Sequence, residues 1–225
     1  MTSPTNTPDA PLKTPTGKSK AQDFAAVRDW DGYYRAVAGK PPRDTLLKAL
    51  AAFETGPAVS RERLAIDVGC GSGRDTLELL RRGWRVLATD STALAIDLLR
   101  AAAPAEHQSR LETRIVPVEH MDLFGADLVN ASYSLPFCDP GAFARVWERI
   151  VAGIAPGCRF AGQLFGDRDD WAALPDRSHQ TRSQVEAMFS QFVLESFVEE
   201  EKHDGDALGN PKDWHVFHVV PRKRT

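Results

Sequence analysis

The chain is poor in cysteine and has no long apolar stretch. Only three cysteines occur among its 225 residues, and none has a partner at the C-x-x-C spacing of zinc sites and redox motifs. An odd and sparse set of thiols argues against a disulfide framework, so we expect no metal site and a reducing, cytoplasmic environment. No apolar run approaches the roughly 18 residues of a membrane span, and no signal peptide opens the chain. We therefore expect no contact with a membrane.

The charge balance shows no excess of either sign. The formal net charge is −3 and the pI is about 6.1, which gives none of the positive potential that attracts nucleic acid. Hydrophobic residues make up 42% of the chain and charged residues 26%, as in an ordinary globular protein. We expect no nucleic-acid partner, and the composition leaves the oligomeric state open.

The N-terminal end differs in composition from the rest of the chain. Residues 1–20 contain four prolines, seven serines or threonines and almost nothing apolar, so we predict a disordered tail there. Residues 21–225 are predicted to form one domain, because that length suits a single core. A helix is predicted over about residues 22–38, ending at Gly39 and the Pro41-Pro42 pair.

Apolar strands then alternate with amphipathic helices. Strands are predicted at 64–68, 85–90, 113–118, 127–132 and 159–165, followed by two long strands at 193–201 and 214–222. Continuous apolar strands separated by helices indicate a parallel sheet covered on both faces. Asp-Gly and Gly-Asn-Pro turn signals between the last two strands indicate an antiparallel hairpin. The pattern predicts an α/β fold with a Rossmann-like, doubly wound, mostly parallel seven-stranded sheet and a C-terminal antiparallel hairpin.

A glycine-rich loop follows the first predicted strand. Gly69, Gly71 and Gly73 stand at alternate positions, and Asp67 precedes the first of them by two residues. Such glycines permit a tight strand-to-helix turn and a close approach of the backbone to a ligand. Dinucleotide enzymes prefer the spacing G-x-G-x-x-G, and an acid at this position would repel a pyrophosphate. It would suit a ligand with a cationic end, such as the ammonium and sulfonium of S-adenosylmethionine (SAM), although a plain tight turn is the alternative.

The second predicted strand ends in Asp90, which lies 17 residues after Gly73. Ligands of open α/β sheets bind beyond the carboxyl ends of the strands, and a carboxylate there can accept hydrogen bonds from both hydroxyls of a ribose. The alternative role for Asp90 is N-cap of the following helix, a role that Ser91 or Thr92 could also fill.

With these two motifs the chain resembles the class I SAM-dependent methyltransferases over roughly residues 25–221. The segments LAIDVGCGSGRDTLELLRRG and RVLATD look like the first two motifs of that family, and DLVNASYSLPF looks like its fourth-strand motif. Within the family, the WDGYY helix and its proline-rich turn are most similar to the small bacterial enzymes of the tellurite-resistance type. The resemblance implies SAM as the cofactor, S-adenosylhomocysteine (SAH) as the product, and binding of the methionine part by Asp67 and the glycines. It also implies that Asp90 binds the ribose and that the loop 118–122 contacts the adenine. The cofactor-binding residues predicted in this way are Asp67, Gly69, Cys70, Gly71, Gly73, Asp90, Ser91, Glu119, His120, Met121 and Ser132.

The acceptor and the catalytic residues are less well defined. No Asn-Pro-Pro-Tyr follows the fourth strand, which removes the argument for amino groups of nucleic-acid bases and favours a small-molecule acceptor. Candidates for a catalytic role are Tyr33, Tyr34, His120 and Tyr133, none of which stands out as a base. The helix with Trp30, Tyr33 and Tyr34 is expected to cover the pocket as a lid, and packing against the core is the alternative. The competing functions are a non-catalytic SAM-binding or SAM-sensing protein and a nicotinamide-dependent oxidoreductase.

Overall fold

A computed structural model describes residues 28–56 and 60–225 of the chain. The predicted disordered tail at 1–20 and the first part of the predicted N-terminal helix lie outside these residues. The helices are α1 Trp30–Val37, α2 Asp44–Glu54, α3 Arg74–Arg81, α4 Ala93–Ala102, α5 Pro140–Gly153 and α6 Arg182–Met188. The strands are β1 Leu64–Val68, β2 Arg85–Asp90, β3 Leu111–Ile115, β4 Ala126–Ala131, β5 Ile154–Gly166, β6 His179–Gln180, β7 Phe192–Gly205 and β8 Pro211–Lys223. Single 3-10 turns occur at Ala105–Arg110, Val118–His120, Leu135–Phe137 and Asp170–Ala173.

The strands form one mixed sheet in the order β3-β2-β1-β4-β5-β8-β7. Strands β1 to β5 are parallel, and β8 runs antiparallel to both β5 and β7. All seven predicted strands form, and the two-residue β6 adds a short parallel pairing at the end of β5. The predicted Rossmann-like fold with its antiparallel C-terminal hairpin is confirmed. Chain order reverses on the two sides of β1, which pairs with β2 on one edge and with β4 on the other.

The core lies on both faces of the sheet, as continuous apolar strands predict. All six residues of β4 are buried. Successive residues point to opposite faces, so Leu128 packs with Leu50 and Leu99 of the α2–α4 layer. Val129 packs on the other face with Trp147 of α5. Helices on both faces leave the carboxyl ends of the central strands as the exposed edge where a ligand can bind.

One predicted strand boundary differs from the structure. Strand β3 ends at Ile115 rather than at residue 118, because Pro117 lacks the amide proton needed to continue the ladder and a 3-10 turn follows it. The described part of the N-terminal helix is Trp30–Val37, and the predicted start near residue 22 lies outside the described residues. Arg28 has a left-handed backbone conformation with φ of 46°, and the side chain of Asp29 caps the helix by accepting a hydrogen bond from Gly32 N. No helix within residues 28–56 and 60–225 is long and apolar enough to cross a membrane.

Candidate active site

A cleft of about 480 Å³ lies at the carboxyl ends of the parallel strands. This volume is in the range of small-ligand sites, and the position is the one expected at the switch point of an open α/β sheet. Ten of the predicted site residues line it: Tyr33, Tyr34, Gly69, Gly71, Asp90, Ser91, Glu119, Met121, Ser132 and Tyr133. Four others do not line it: Asp67, Cys70, Gly73 and His120.

The glycine loop needs glycine for two different reasons. Gly69 and Gly71 have φ of 65° and 53°, and a Cβ on Gly69 would stand 2.5 Å from Cβ of Ser134. Both glycines line the cleft, so their bare backbone is available to a ligand. Gly73, with φ of 92°, has another function: a Cβ there would lie 2.4 Å from Cδ1 of Leu99, so this glycine allows α4 to pack against the loop.

Asp67 lies within the fold instead of at the cleft surface. Its side chain is buried, with Oδ2 accepting a hydrogen bond from Oγ1 of Thr76 at 2.5 Å and Oδ1 accepting one from Nδ2 of Asn130 at 2.9 Å. Burial, and next the charge of Asp75, raise the pKa of Asp67 to about 7. Both oxygens of Asp67 thus bind protein groups that fix the loop, and its contact with the methionine part of SAM stays a prediction. Cys70 is also buried, and its amide donates to the carbonyl of Thr89 at 2.9 Å.

Asp75 was missed by sequence reasoning. This buried carboxylate accepts hydrogen bonds from Arg43 N at 2.9 Å, from Nδ2 of Asn130 at 3.0 Å and from Oγ of Ser132 at 2.6 Å. It thereby connects the start of α2 and the end of β4 to the glycine loop. The acid at the start of α3 was visible in the sequence, but its partners lie 32 to 57 residues away.

Asp90 lies at the cleft, at the tip of β2, as predicted. Its Oδ2 accepts a hydrogen bond from Gly71 N at 3.0 Å, and its Oδ1 accepts from the amide and the hydroxyl of Thr92, each at 3.0 Å. The alternative role as N-cap belongs to Thr92, whose Oγ1 accepts from Ala95 N. The carboxylate of Asp90 thus joins the glycine loop to the start of α4 and forms part of the cleft wall.

Tyr34 attaches α1 to this part of the cleft. Its ring is buried, and its hydroxyl lies 3.1 Å from Oγ1 of Thr92 and 3.4 Å from Oδ1 of Asp90. Burial, and then the negative charge of Asp90, raise the pKa of Tyr34 well above its ordinary value. Such a hydroxyl is a poor general base, so the geometry disfavours Tyr34 for that role.

The turn after β3 contains Glu119, which lines the cleft, and His120, which does not. Glu119 lines the cleft, and its Oε1 accepts a hydrogen bond from Asp139 N at 3.0 Å. Burial alone would raise its pKa, but backbone hydrogen bonds from Asp139 and from its own amide lower it overall. Met121 is buried beside Oγ1 of Thr89. His120 is exposed and does not line the cleft, and its predicted roles as adenine contact and as base stay predictions.

Tyr133 has an uncommon backbone conformation at the tip of β4. Its φ is 54°, a left-handed value that costs energy for a residue with a side chain. Its amide donates to Oε1 of the buried Gln163 at 3.2 Å, and Nε2 of Gln163 donates to Oγ1 of Thr45 at 2.9 Å. Burial raises the pKa of Tyr133 to about 12. The guanidinium carbon of Arg43 lies 4.4 Å from the centre of the Tyr133 ring.

Aromatic side chains line the cleft over the tips of β4, β5 and β8. We call this region the aromatic end of the cleft; its residues are Tyr33, Tyr133, Phe137, Phe165 and Trp214.

A buried ion pair supports the aromatic end. Nζ of Lys212 lies 2.5 Å from Oδ1 of Asp169 and 3.8 Å from the centre of the Trp214 ring. Both charged side chains are fully buried, and burial lowers the pKa of Lys212. Removing one partner of such a pair is strongly destabilising, so this ion pair fixes the wall behind Trp214.

One group of side chains in the described part of the chain has metal-ligating atoms close together. It consists of Glu199, Glu201 and His215, away from the cleft. The guanidinium of Arg168 donates to both carboxylates, at 2.8 Å and 2.5 Å. A cation already compensates these charges, so the group is an ion-pair network of the hairpin.

Comparison with known proteins agrees with the site geometry. Residues 65–157, which include the glycine loop, Asp90 and β4, match a family model described as a methyltransferase domain. Uncharacterized methyltransferases of Mycobacterium tuberculosis and Mycobacterium bovis are 29% identical over 140 residues, 61% of this chain. The chain spans about half the length of these relatives, since the match covers 50% of each.

Solved structures share the fold at low sequence identity. TehB from Haemophilus influenzae superposes with a TM-score of 0.64 at 15% identity, over 79% of this chain and 62% of that one. The 1,6-didemethyltoxoflavin-N1-methyltransferase of Burkholderia thailandensis was solved with 1,6-didemethyltoxoflavin and SAH bound. It superposes with a TM-score of 0.62 at 18% identity, over 96% of this chain and 95% of that one. The N-methyltransferase NodS of Bradyrhizobium japonicum, solved with SAH bound, superposes with a TM-score of 0.63 at 14% identity, over 87% of this chain and 98% of that one. The chain is thus similar to SAM-dependent methyltransferases, through a methyltransferase-domain match over residues 65–157 and a shared fold.

Proposed function

We propose that this protein is a SAM-dependent methyltransferase that transfers a methyl group to a small-molecule acceptor and releases SAH. The observation that carries the proposal is the meeting of Asp90 with the left-handed glycines Gly69 and Gly71 in one cleft. The same cleft is open enough for a second ligand, because it extends from the glycine loop to the aromatic end.

The residues of the cleft fit SAM. Bare backbone at Gly69 and Gly71, both of which line the cleft, lets the methionine part approach the loop closely. The carboxylate of Asp90 suits the ribose hydroxyls, and the cleft beside Glu119 suits the adenine. We assign the carboxylate of SAM to the guanidinium of Arg74, which follows the glycine loop and lines the cleft.

The residues around the acceptor act by positioning. When bound, SAM supplies an electrophilic methyl group: a lone pair of the acceptor forms the new bond to carbon while the C–S bond breaks and its electron pair stays on sulfur. The chain's own contribution is to hold the acceptor in line and to exclude water. Tyr34 and Tyr133 have raised pKa values, so neither hydroxyl is suited to accept a proton. We therefore propose an acceptor that is already nucleophilic or loses its proton to solvent.

The walls of the cleft support a small acceptor. Helix α1 contributes Trp30 and Tyr33 on one side, and the β7–β8 hairpin contributes Asp204 and Asp206 on another. Walls from both ends of the chain enclose parts of a cleft of about 480 Å³, a volume that suits a small acceptor. The names of the Burkholderia and Bradyrhizobium structures also point to a specific methylated compound and an N-methyltransferase. We further propose that residues 21–225 act as one cytoplasmic domain, with α1 as the lid.

Two other functions fit parts of the same site. A SAM-sensing protein without catalysis would keep the same cofactor contacts. A nicotinamide-dependent oxidoreductase fits less well, because the G-x-G-x-G spacing and the buried acid beneath the loop oppose a pyrophosphate.

The test is calorimetric titration of the full chain with SAH and with NADH, followed by an acceptor panel assayed for SAH release. We expect SAH to bind in the micromolar range, about −8 kcal/mol, and NADH not to bind. Binding of NADH instead of SAH would contradict the proposal. Tight SAH binding with no SAH release from SAM for any acceptor would favour the sensing protein.

A further inference from the structure

Five cations line the cleft, Arg28, Lys40, Arg43, Arg74 and Lys202, and Arg43 is the one stacked at its aromatic end. The acids that line the cleft are already bound to protein groups: Asp90 to the glycine loop, Glu119 to a backbone amide, Asp204 to Lys202 and Asp206 to the hairpin turn. Arg28 pairs with Asp176 and Lys202 with Asp204, and Arg74 donates to the carbonyl of Pro41. Within residues 28–56 and 60–225, Arg43 forms no ion pair with a carboxylate.

Arg43 is held in place without losing its charge. Its backbone amide donates to Asp75, and its guanidinium stacks on the ring of Tyr133 at 4.4 Å. Tyr133 itself is fixed through Gln163 in a strained conformation. A stacked guanidinium keeps its N–H groups free at its edge, in a fork that matches a carboxylate.

The surfaces beside this guanidinium are flat and apolar. The ring of Tyr133 lies 6.4 Å from that of Trp214 and 6.2 Å from that of Phe165. The buried Lys212–Asp169 pair beside Trp214 makes this wall rigid. Aromatic walls select planar rings because offset-stacked and edge-to-face contacts are favourable.

We propose that the methyl acceptor is an aromatic carboxylate whose ring packs at the aromatic end and whose anionic group pairs with Arg43. This inference rests on the proposed function, since it identifies the second ligand of the same cleft. The carboxylate anchors the molecule, and the methylated atom is another group on the ring that points towards the glycine loop.

The test uses three probes of matched size: 2-naphthoate, 2-naphthamide and decahydronaphthalene-2-carboxylate. Each is titrated calorimetrically into the full chain, with and without saturating SAH. We expect 2-naphthoate to bind at least about tenfold more tightly than either of the others, because only it has both the planar ring and the charge. Equal binding of the amide and the acid, or no detectable binding of 2-naphthoate, would overturn the proposal.

Variants of Arg43 separate this role from cofactor binding. Arg43→Met should lower the affinity for 2-naphthoate about tenfold and leave the affinities for 2-naphthamide and SAH unchanged. Arg43→Lys, which keeps the charge but loses the stacked fork, should give an intermediate loss. Arg145→Met is the matched control, since Arg145 is exposed on α5 outside the cleft.

The outcomes are distinguishable from failure of the proposed function. If Arg43→Met lowers the affinity for SAH as much as the affinity for 2-naphthoate, Arg43 binds the carboxylate of the cofactor and the inference is wrong. If the wild-type chain binds 2-naphthoate in the expected order but does not bind SAH, the anion site stands and the methyltransferase proposal fails.

Discussion

Asp67 and Asp75 accept hydrogen bonds from the same side-chain amide. Nδ2 of Asn130 lies 2.9 Å from Oδ1 of Asp67 and 3.0 Å from Oδ2 of Asp75. Two buried carboxylates therefore share one donor under the glycine loop. Burial, and next the charge of Asp75, raise the pKa of Asp67 and so favour its neutral form.

This pair predicts a pH-dependent stability. The pKa of Asp67 is about 7 in the folded protein against an ordinary value of 3.8, so the folded state binds the proton more tightly than the unfolded state. The stabilisation is complete below about pH 4 and is lost as the pH rises through 7. Urea unfolding should show that the free energy of unfolding falls between pH 4 and 7. In Asp67→Asn this fall should be shallower by up to about 1.4 kcal/mol per pH unit. Asp97→Asn, at an exposed position on α4, is the control. An unchanged slope in Asp67→Asn would contradict this origin.

Asp90 is predicted to bind the ribose of SAM. Asp90→Ala should weaken SAH binding by about 1–3 kcal/mol, because two hydroxyls lose a charged acceptor. Calorimetry compares this variant with Asp97→Ala, which removes the same charge from an exposed site. Equal SAH affinities in the two variants would refute the assignment of Asp90.

Helix α1 is predicted to act as a lid. The hydroxyl of Tyr34 bonds at the tip of β2, so a cofactor bound there should stabilise the helix. Amide hydrogen exchange in residues 30–37 should slow when SAH binds, since lids come from the less stable parts of a fold. Tyr34→Phe should reduce that protection more than Tyr33→Phe. Exchange that is already slow without SAH and unaffected by it would indicate a core helix.

The conformation of Tyr133 predicts an unusual order of stabilities. At a φ of 54° glycine is less strained than alanine. The free energy of unfolding of Tyr133→Gly should therefore be about 1 kcal/mol higher than that of Tyr133→Ala. The same pair of substitutions at Tyr33, inside α1, should give the opposite order, because glycine costs about 1 kcal/mol in a helix. Urea unfolding measures both differences. The same order at both positions would show that strain at Tyr133 is not the cause.

Local sequence patterns were sufficient for the fold and for the cofactor end of the cleft. Strands β1 and β2 have the predicted bounds because they are short apolar runs limited by turn residues. The positions of Gly69, Gly71 and Asp90 were also predictable, since a glycine loop and an acid at a strand tip are adjacent in any parallel sheet of this order. Which residues of the turn Val118–His120 line the cleft was not predictable, because sequence spacing does not encode side-chain direction: Glu119 lines it and His120 does not.

The sequence by itself determined that helices alternate with buried strands and that glycines and an acid stand at the strand tips, because periodicity and turn chemistry are local properties. Only the tertiary structure decided which charges are neutralised. Asp67 is enclosed with Asn130, Lys212 is buried against Asp169, and Arg43 stacks on Tyr133 with no carboxylate partner among the described residues. Each of these pairs joins segments more than 40 residues apart. The energy of a charge depends on burial and on the groups packed around it, and those are fixed only when distant segments meet.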